Sequence, residues 1–198
     1  MKKIVLASKS IDRREILKRA KIEFEIYITS VDEEKYIREI SDPIKLVEEL
    51  AKVKALYTKE KFKQKNKDRI IIAADTMVVY ESEIIGKAIS EEQAFQILKK
   101  LAGNYHNLIT GIAITETFNS KIIIDHDITK VKFTNLNDKE IWKYIKSGEW
   151  KGRAGAYSIR EKASLFTELI DGSTSNVIGL PMNKVYNILK EEFNMSLL

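Results

Sequence analysis

A mixed α/β fold is predicted for this chain by three features of its sequence. Strand-like apolar segments, residues 3–7 and 70–79, stand among stretches whose apolar residues recur at helical spacing. Two further strand-like segments, residues 108–115 and 121–133, adjoin across Phe118-Asn119-Ser120, too short a connection for a parallel crossover. At 198 residues the chain can bury a substantial core as one domain spanning residues 1–198, with a second lobe built by the strand pair.

The elements follow in order. Residues 3–7 form a first strand, and Ser10 caps a helix with Ile16 and Leu17 on its inner face, so Ser8 and Lys9 lie at a strand-to-helix turn. Residues 24–29 alternate as a second strand, followed by an acidic loop, Val31-Asp32-Glu33-Glu34. Asp42-Pro43 opens a long helix with an apolar stripe of Ile44, Val47, Leu50, Ala51 and Leu56, ended by a lysine-rich segment. After the strand at 70–79, Glu81-Ser82-Glu83 and Ile84-Ile85 predict a hairpin, and Gly86-Lys87 leaves the sheet. Ser90-Glu91-Glu92-Gln93 is a capping box for a helix that Gly103 ends. Asn137, with Glu140 in register, caps another helix that stops at Gly148. Residues 152–157 read as a flexible basic loop leading into strand-like residues, Asp171-Gly172 as a turn, and residues 176–181 as the approach to a final helix through Val185 and Leu189.

Composition removes several function classes. Without cysteine there are no disulfides, thiolate catalysis or cysteine zinc sites, and His106 and His126 alone exclude a histidine-rich metal site. Any metal is therefore held by oxygen atoms. No apolar run reaches the length of a membrane span, and the opening segment meets charge again at Lys9, so a cytoplasmic protein with no membrane partner is expected. The net charge of +5 lies largely in residues 59–69, which lack interleaved aromatics and read as a solvated helix end rather than a nucleic-acid surface.

Within the most apolar run, residues 70–79, stands Asp75. A lone buried carboxylate is costly and is normally paired, protonated or bound to metal. Two readings therefore stand for Asp75: a reacting carboxylate, or a strand-end aspartate bonded to neighbouring backbone amides. The dinucleotide glycine pattern and the Walker loop are both missing. In their place are cations and small hydroxyls, chiefly Ser8, Ser10, Arg13, Arg14, Lys54, Lys87, Arg153 and Arg160, with carboxylates Asp75 and Glu33. That set suits a phosphorylated substrate and a divalent ion: a helix start and an arginine fork favour phosphate, while magnesium takes one or two carboxylates plus phosphate and water oxygens. Each residue also has a plainer reading. Arg13 and Arg14 can pair with Glu15 or face solvent, Lys54 can be one more surface lysine, Glu33 a solvated loop residue, Lys87 a loop cation, and both histidines structural.

Taken together, the segments resemble the Maf family of nucleoside triphosphate pyrophosphatases, also labelled septum-formation inhibitor proteins. Leu6-Ala7-Ser8-Lys9-Ser10, with Arg13 and Glu15-Ile16-Leu17, is similar to the family opening L-A-S-x-S-P-x-R-x-x-L-L. Leu50-Ala51-Lys52-Val53-Lys54-Ala55 resembles L-A-x-x-K-A, Ala74-Asp75-Thr76 resembles G-A-D-T, and Gly86-Lys87 resembles G-K-P. Leu101-Ala102-Gly103 with His106, Thr110-Gly111, residues 151–157 and residues 176–181 resemble L-S-G-x-x-H, T-G, K-A-G-A-Y and N-V-x-G-L-P.

The resemblance implies a fold like that of the inosine triphosphate pyrophosphatases, an elongated mixed sheet flanked by helices with a cleft between two lobes, commonly in a homodimer. It implies hydrolysis of a nucleoside triphosphate to monophosphate and pyrophosphate with magnesium or manganese. Asp75 matches the proton acceptor, Ser8, Arg13, Lys54 and Lys87 the phosphate-binding positions, and Glu33, with Asp75, the metal position. Asp12, Thr76 and Arg160 match positions linked to base choice. The chain departs from the thymidine/uridine triphosphate branch: the family proline is Ile11, its frequent arginine is Asp12, and A-Y-G-I-Q-G reads Ala156-Tyr157-Ser158-Ile159-Arg160-Glu161. Asp12 and Arg160 could pair, or read a base with donor and acceptor edges. Two rivals stand beside this expectation: a regulator of septation that binds nucleotide or nucleic acid without catalysis, and a pyrophosphatase for a purine or modified triphosphate.

Overall fold

The computed structural model describes residues 2–198. It contains β1 (Lys3–Ala7), α1 (Ile11–Arg19), β2 (Phe24–Ile26), α2 (Glu33–Glu39), α3 (Pro43–Gln64), β3 (Arg69–Tyr80), β4 (Glu83–Ile85) and α4 (Glu91–Leu101). These are followed by β5 (Tyr105–Glu116), β6 (Ile122–Phe133), α5 (Asp138–Ile145), a 3-10 turn (Lys162–Leu165), β7 (Thr167–Asp171), α6 (Thr174–Ile178) and α7 (Met182–Phe193). Seven strands form a sheet in the order β2-β1-β3-β5-β6-β7, with β4 also paired to β3. β1 runs parallel to β2 and β3, whereas β4 is antiparallel to β3 and β7 to β6, so the sheet is mixed as expected. Contacts divide the chain into two compact units.

The first unit comprises residues up to Asp75, Thr110–Asp127 and Gly179–Leu198. β1, β3 and β5 are buried on both faces there, and the period-two alternation of their side chains sorts them into two cores. Ile4, Leu6, Ile70, Ile72, Ala74, Ile112 and Ile114 pack with Leu17 of α1 and Val185, Ile188 and Leu189 of α7. Val5, Ala7, Ile71, Ala73 and Ala113 pack with Ala51, Ala55 and Phe62 of α3. The small alanines on this second face let α3 lie close to the strands. At Gly111 the approach is closest: a Cβ there would lie 2.3 Å from the Val47 carbonyl oxygen, so only glycine fits.

The second unit comprises Thr76–Ile109 and Ile128–Ile178. Its core joins Val78 and Phe133 of the strands to Ala94, Phe95, Leu98 and Leu101 of α4 and Ile141, Tyr144 and Ile145 of α5. Phe95 stacks on Trp142 with centroids 4.9 Å apart. The β3–β4 hairpin turns through Glu81 and Ser82, both at positive φ, which matches the twist of a two-residue hairpin even without glycine.

Local chemistry explains most boundaries. Ser10 accepts the Arg13 amide, Asp42 accepts the Ile44 and Lys45 amides ahead of a proline start, and Asn137 with Glu140 completes a reciprocal capping box. Ser90 also caps as expected, but the Gln93 side chain accepts from Ile89 rather than from the cap residue. Four expectations are corrected. β2 ends at Ile26 instead of reaching Thr29, leaving only Tyr27 bonded to the Leu6 carbonyl beyond it. The acidic loop is the start of α2, because carboxylates in a first turn complement the helix dipole. Residues 174–178 are helical, and the strand after the basic loop begins only at Thr167. The stripe of α3 is Leu46, Val47, Leu50, Ala51, Lys54, Ala55, Thr58 and Phe62, while Leu56 is exposed.

Candidate active site

In the first unit, strand alternation carries Asp75 onto the same side of β3 as Ile71 and Ala73, the side packed against α3. On α3, Lys54 occupies the buried stripe one turn after Leu50 and one turn before Thr58. The two side chains therefore meet: Lys54 Nζ lies 2.6 Å from Asp75 Oδ1. The same ammonium lies 3.0 Å from Glu33 Oε1, at the first residue of α2. Lys54 is 6% exposed, so its burial is matched by two carboxylates, which buried charge requires. Asp75 is accordingly met by an ammonium and not by backbone amides, and Lys54 is not a surface lysine.

The turn after β1 builds the second part. Ser8 Oγ accepts from the Ser10 amide at 3.2 Å and from Arg13 Nη1 at 3.1 Å. With both acceptor positions used, the hydroxyl proton is what Ser8 has left to offer, a donor suited to an anionic oxygen. Arg13 Nε donates to the Gly179 carbonyl at 2.7 Å, which fixes the guanidinium plane. Burial lowers the Arg13 pKa, opposed by the fields of Asp75, Glu33 and Asp12; a guanidinium stays charged throughout. Arg13 is thus held by Ser8 and Gly179 rather than by Glu15, whose carboxylate takes Lys18. Arg14 donates to the Lys9 carbonyl at 3.1 Å and braces the turn from the solvent side.

Ser8, Arg13, Glu33, Lys54 and Asp75 all belong to the first unit, with Asp12 half-buried in the first turn of α1. Thr76, Lys87 and Arg160 belong to the second. Thr76 follows Asp75 on β3 and projects from the opposite face of the strand. Lys87 is exposed and bridged to Ala154, and the adjoining Gly155 amide donates to the Gly86 carbonyl at 3.2 Å. Arg160 is half-buried three residues past Tyr157. The basic loop is therefore a bridged and pinned segment, not a flexible one. Both histidines are bonded within the protein: His106 Nε2 lies 2.9 Å from the Tyr157 hydroxyl, and His126 Nδ1 lies 2.7 Å from Glu48.

Asp75 and Glu33 converge on one cation, and among the described residues no three acidic or histidine side chains cluster as a metal cage. A donor set of two carboxylates fits a hard divalent ion that completes its shell from phosphate oxygens and water. Lys54 binds the Asp75 carboxylate through Oδ1, and the Asp75 side chain keeps 13% of its surface exposed. One contributor escaped the sequence reading. Gly179 holds Arg13 through a carbonyl, which no side-chain pattern reveals. Lys54, already expected at the site, owes its burial to the helix face it shares with residues 47, 50, 51, 55 and 58.

Among the described residues no helix is long and apolar enough to cross a membrane. Comparison with known proteins adds three results. The sequence model of the Maf-like protein family matches residues 3–192. A protein of Thermoanaerobacter sp. (strain X514) named dTTP/UTP pyrophosphatase is 41% identical over 196 residues, covering 99% of this chain and all of its own. Proteins of the same name from Clostridium tetani (strain Massachusetts / E88) and Alkaliphilus metalliredigens (strain QYMF) are 43% and 40% identical, covering 94% and 100% of this chain and 96% and 100% of theirs.

Proposed function

Because this chain belongs to the Maf family, we propose that it is a nucleoside triphosphate pyrophosphatase that releases pyrophosphate and a nucleoside monophosphate, with dTTP and UTP as its substrates. The observation that carries the reading is the Lys54 ammonium bound between Asp75 and Glu33, beside an Arg13 locked by Ser8 and Gly179. Binding alone needs cations. A carboxylate anchored by an ammonium yet still partly exposed can orient and deprotonate water, so the set favours hydrolysis over a septation regulator without catalysis.

In this reading Ser8, Arg13, Lys54 and Lys87 bind the polyphosphate, the first as a hydroxyl donor and Arg13 as a planar fork. Asp75 orients water and takes its proton as the new bond forms at the α-phosphorus, with the pyrophosphate oxygen leaving. Lys54 holds Asp75 in place and, with Arg13, stabilises the charge gathering on the leaving group. Asp75 and Glu33 would hold a divalent cation, magnesium or manganese, which supplies neutralisation of phosphate charge when bound. Asp12, Thr76 and Arg160 choose the base. A homodimer in the cytoplasm completes the reading.

The test is a panel of canonical, methylated and deaminated triphosphates with magnesium or manganese, both products quantified. Pyrophosphate with dTMP or UMP in equal amounts is expected, and orthophosphate would indicate a phosphatase. Asp75→Asn is expected to lower kcat by about 10²–10⁴-fold, the range for loss of a general base; full activity in that variant removes the central role of Asp75.

A further inference from the structure

Beneath the basic loop of the second unit lies a buried polar pair that the proposed chemistry does not use. His106 of β5 is 2% exposed, and its Nε2 lies 2.9 Å from the hydroxyl of Tyr157, itself 5% exposed. Both rings stand edge-on to Phe133, with centroids 4.7 Å and 4.8 Å away. The next residue is held in the same way, since the Ser158 amide donates to the Tyr144 hydroxyl at 3.1 Å. An all-apolar cluster would fill this space at lower desolvation cost. Two hydrogen bonds to consecutive residues instead specify one position for the loop.

That loop is also where Lys87 is held. Lys87 is bridged to Ala154, and the Gly155 amide donates to the Gly86 carbonyl at 3.2 Å. Between bridge and tyrosine the backbone is tightly determined. Gly155 has φ +68° and a Cβ there would lie 2.8 Å from Val78 Cγ2, while Ala156 holds φ 58° despite its side chain. A displacement at Tyr157 has little slack to be absorbed in before it reaches Ala154 and Lys87.

We propose that His106 and Tyr157 are positioning residues: their hydrogen bond fixes residues 154–158, and through the Ala154 bridge it sets where Lys87 binds phosphate. This rests on the reading of Lys87 as a phosphate ligand. Burial keeps the imidazole neutral at physiological pH, so it offers Tyr157 the same bond throughout the working range.

The experiment is a double-mutant cycle on pyrophosphate release, using the full chain with Tyr157→Phe, Lys87→Ala and both together. Tyr157→Phe deletes one oxygen and keeps the ring packing. Its expected effect is a rise in KM of about tenfold or less, the size of one hydrogen bond, with kcat little changed. In the Lys87→Ala background the same change is expected to have no further effect on KM, because the residue it positions is gone. His106→Gln, which retains a polar partner for Tyr157, is expected to recover KM relative to His106→Phe. A full Tyr157→Phe effect in both backgrounds, or none in either, overturns the proposal and leaves the pair purely structural. If the wild type releases no pyrophosphate from any triphosphate, it is the hydrolase reading that fails. The same cycle read by calorimetric binding of dTTP then decides the positioning role by itself.

Discussion

His106 yields a stability change whose sign and size follow from its surroundings. Burial pushes its pKa from 6.5 down to about 4, so the folded protein keeps it neutral while the unfolded chain protonates it readily. Where the unfolded state binds more protons, stability rises with pH. Above the unfolded value both states are neutral and nothing is lost, so the loss accrues as pH falls from 6.5 to about 4. One pKa unit corresponds to about 1.4 kcal/mol, so at about pH 5, where some 1.5 units of the gap are realised, the cost is roughly 2 kcal/mol. The assay is urea unfolding of wild type and His106→Asn at about pH 7.5 and about pH 5, with the linear extrapolation applied to each. His106→Asn also weakens the Tyr157 contact, but that loss is the same at both pH values. The stability difference between the two proteins is therefore expected to shrink by roughly 2 kcal/mol on acidification. Parallel pH dependences would refute the claim that His106 is buried neutral.

Lys54→Met removes the cation shared by Asp75 and Glu33. Because Asp75 is largely buried, leaving it unpaired is expected to cost about 1–3 kcal/mol, below the range for fully buried pairs, and to raise KM; chemical unfolding and steady-state kinetics read both. Gly111→Ala places a Cβ against the α3 backbone and is expected to destabilise by about 1–3 kcal/mol or more and to lower activity, read by thermal melting and pyrophosphate release. Arg13→Lys keeps the charge but loses the fork that joins Gly179 to Ser8, and a KM increase of about tenfold or more is expected.

Much of the fold was legible because its signals are local. Asp42-Pro43, Asn137 with Glu140, and Ser10 each satisfy helix amides from within a few residues, and the structure starts helices at all three. Glu33 was misplaced in a loop because its carboxylate neighbours suggest solvent, although the same charges favour a helix start. The motif match named Lys54, but its burial was obscured by the abundance of lysines on α3 and emerges only once Leu56 is removed from the stripe and the helix phase is corrected. The pairing of Arg13 with Gly179 spans 166 positions and uses a carbonyl, so no local pattern carries it.

The two carboxylates that share Lys54 are mounted on very different supports. Asp75 stands on β3, directly after the fully enclosed residues Ile71, Ile72, Ala73 and Ala74. Glu33 opens a seven-residue helix with no buried residue and no side-chain cap, and so short a helix has little stability of its own. Local opening is easiest where few apolar contacts hold the backbone. The result is a clamp with one stiff jaw and one compliant jaw. A yielding of α2 would therefore carry Glu33 away from Lys54 while Asp75 stays in place on β3.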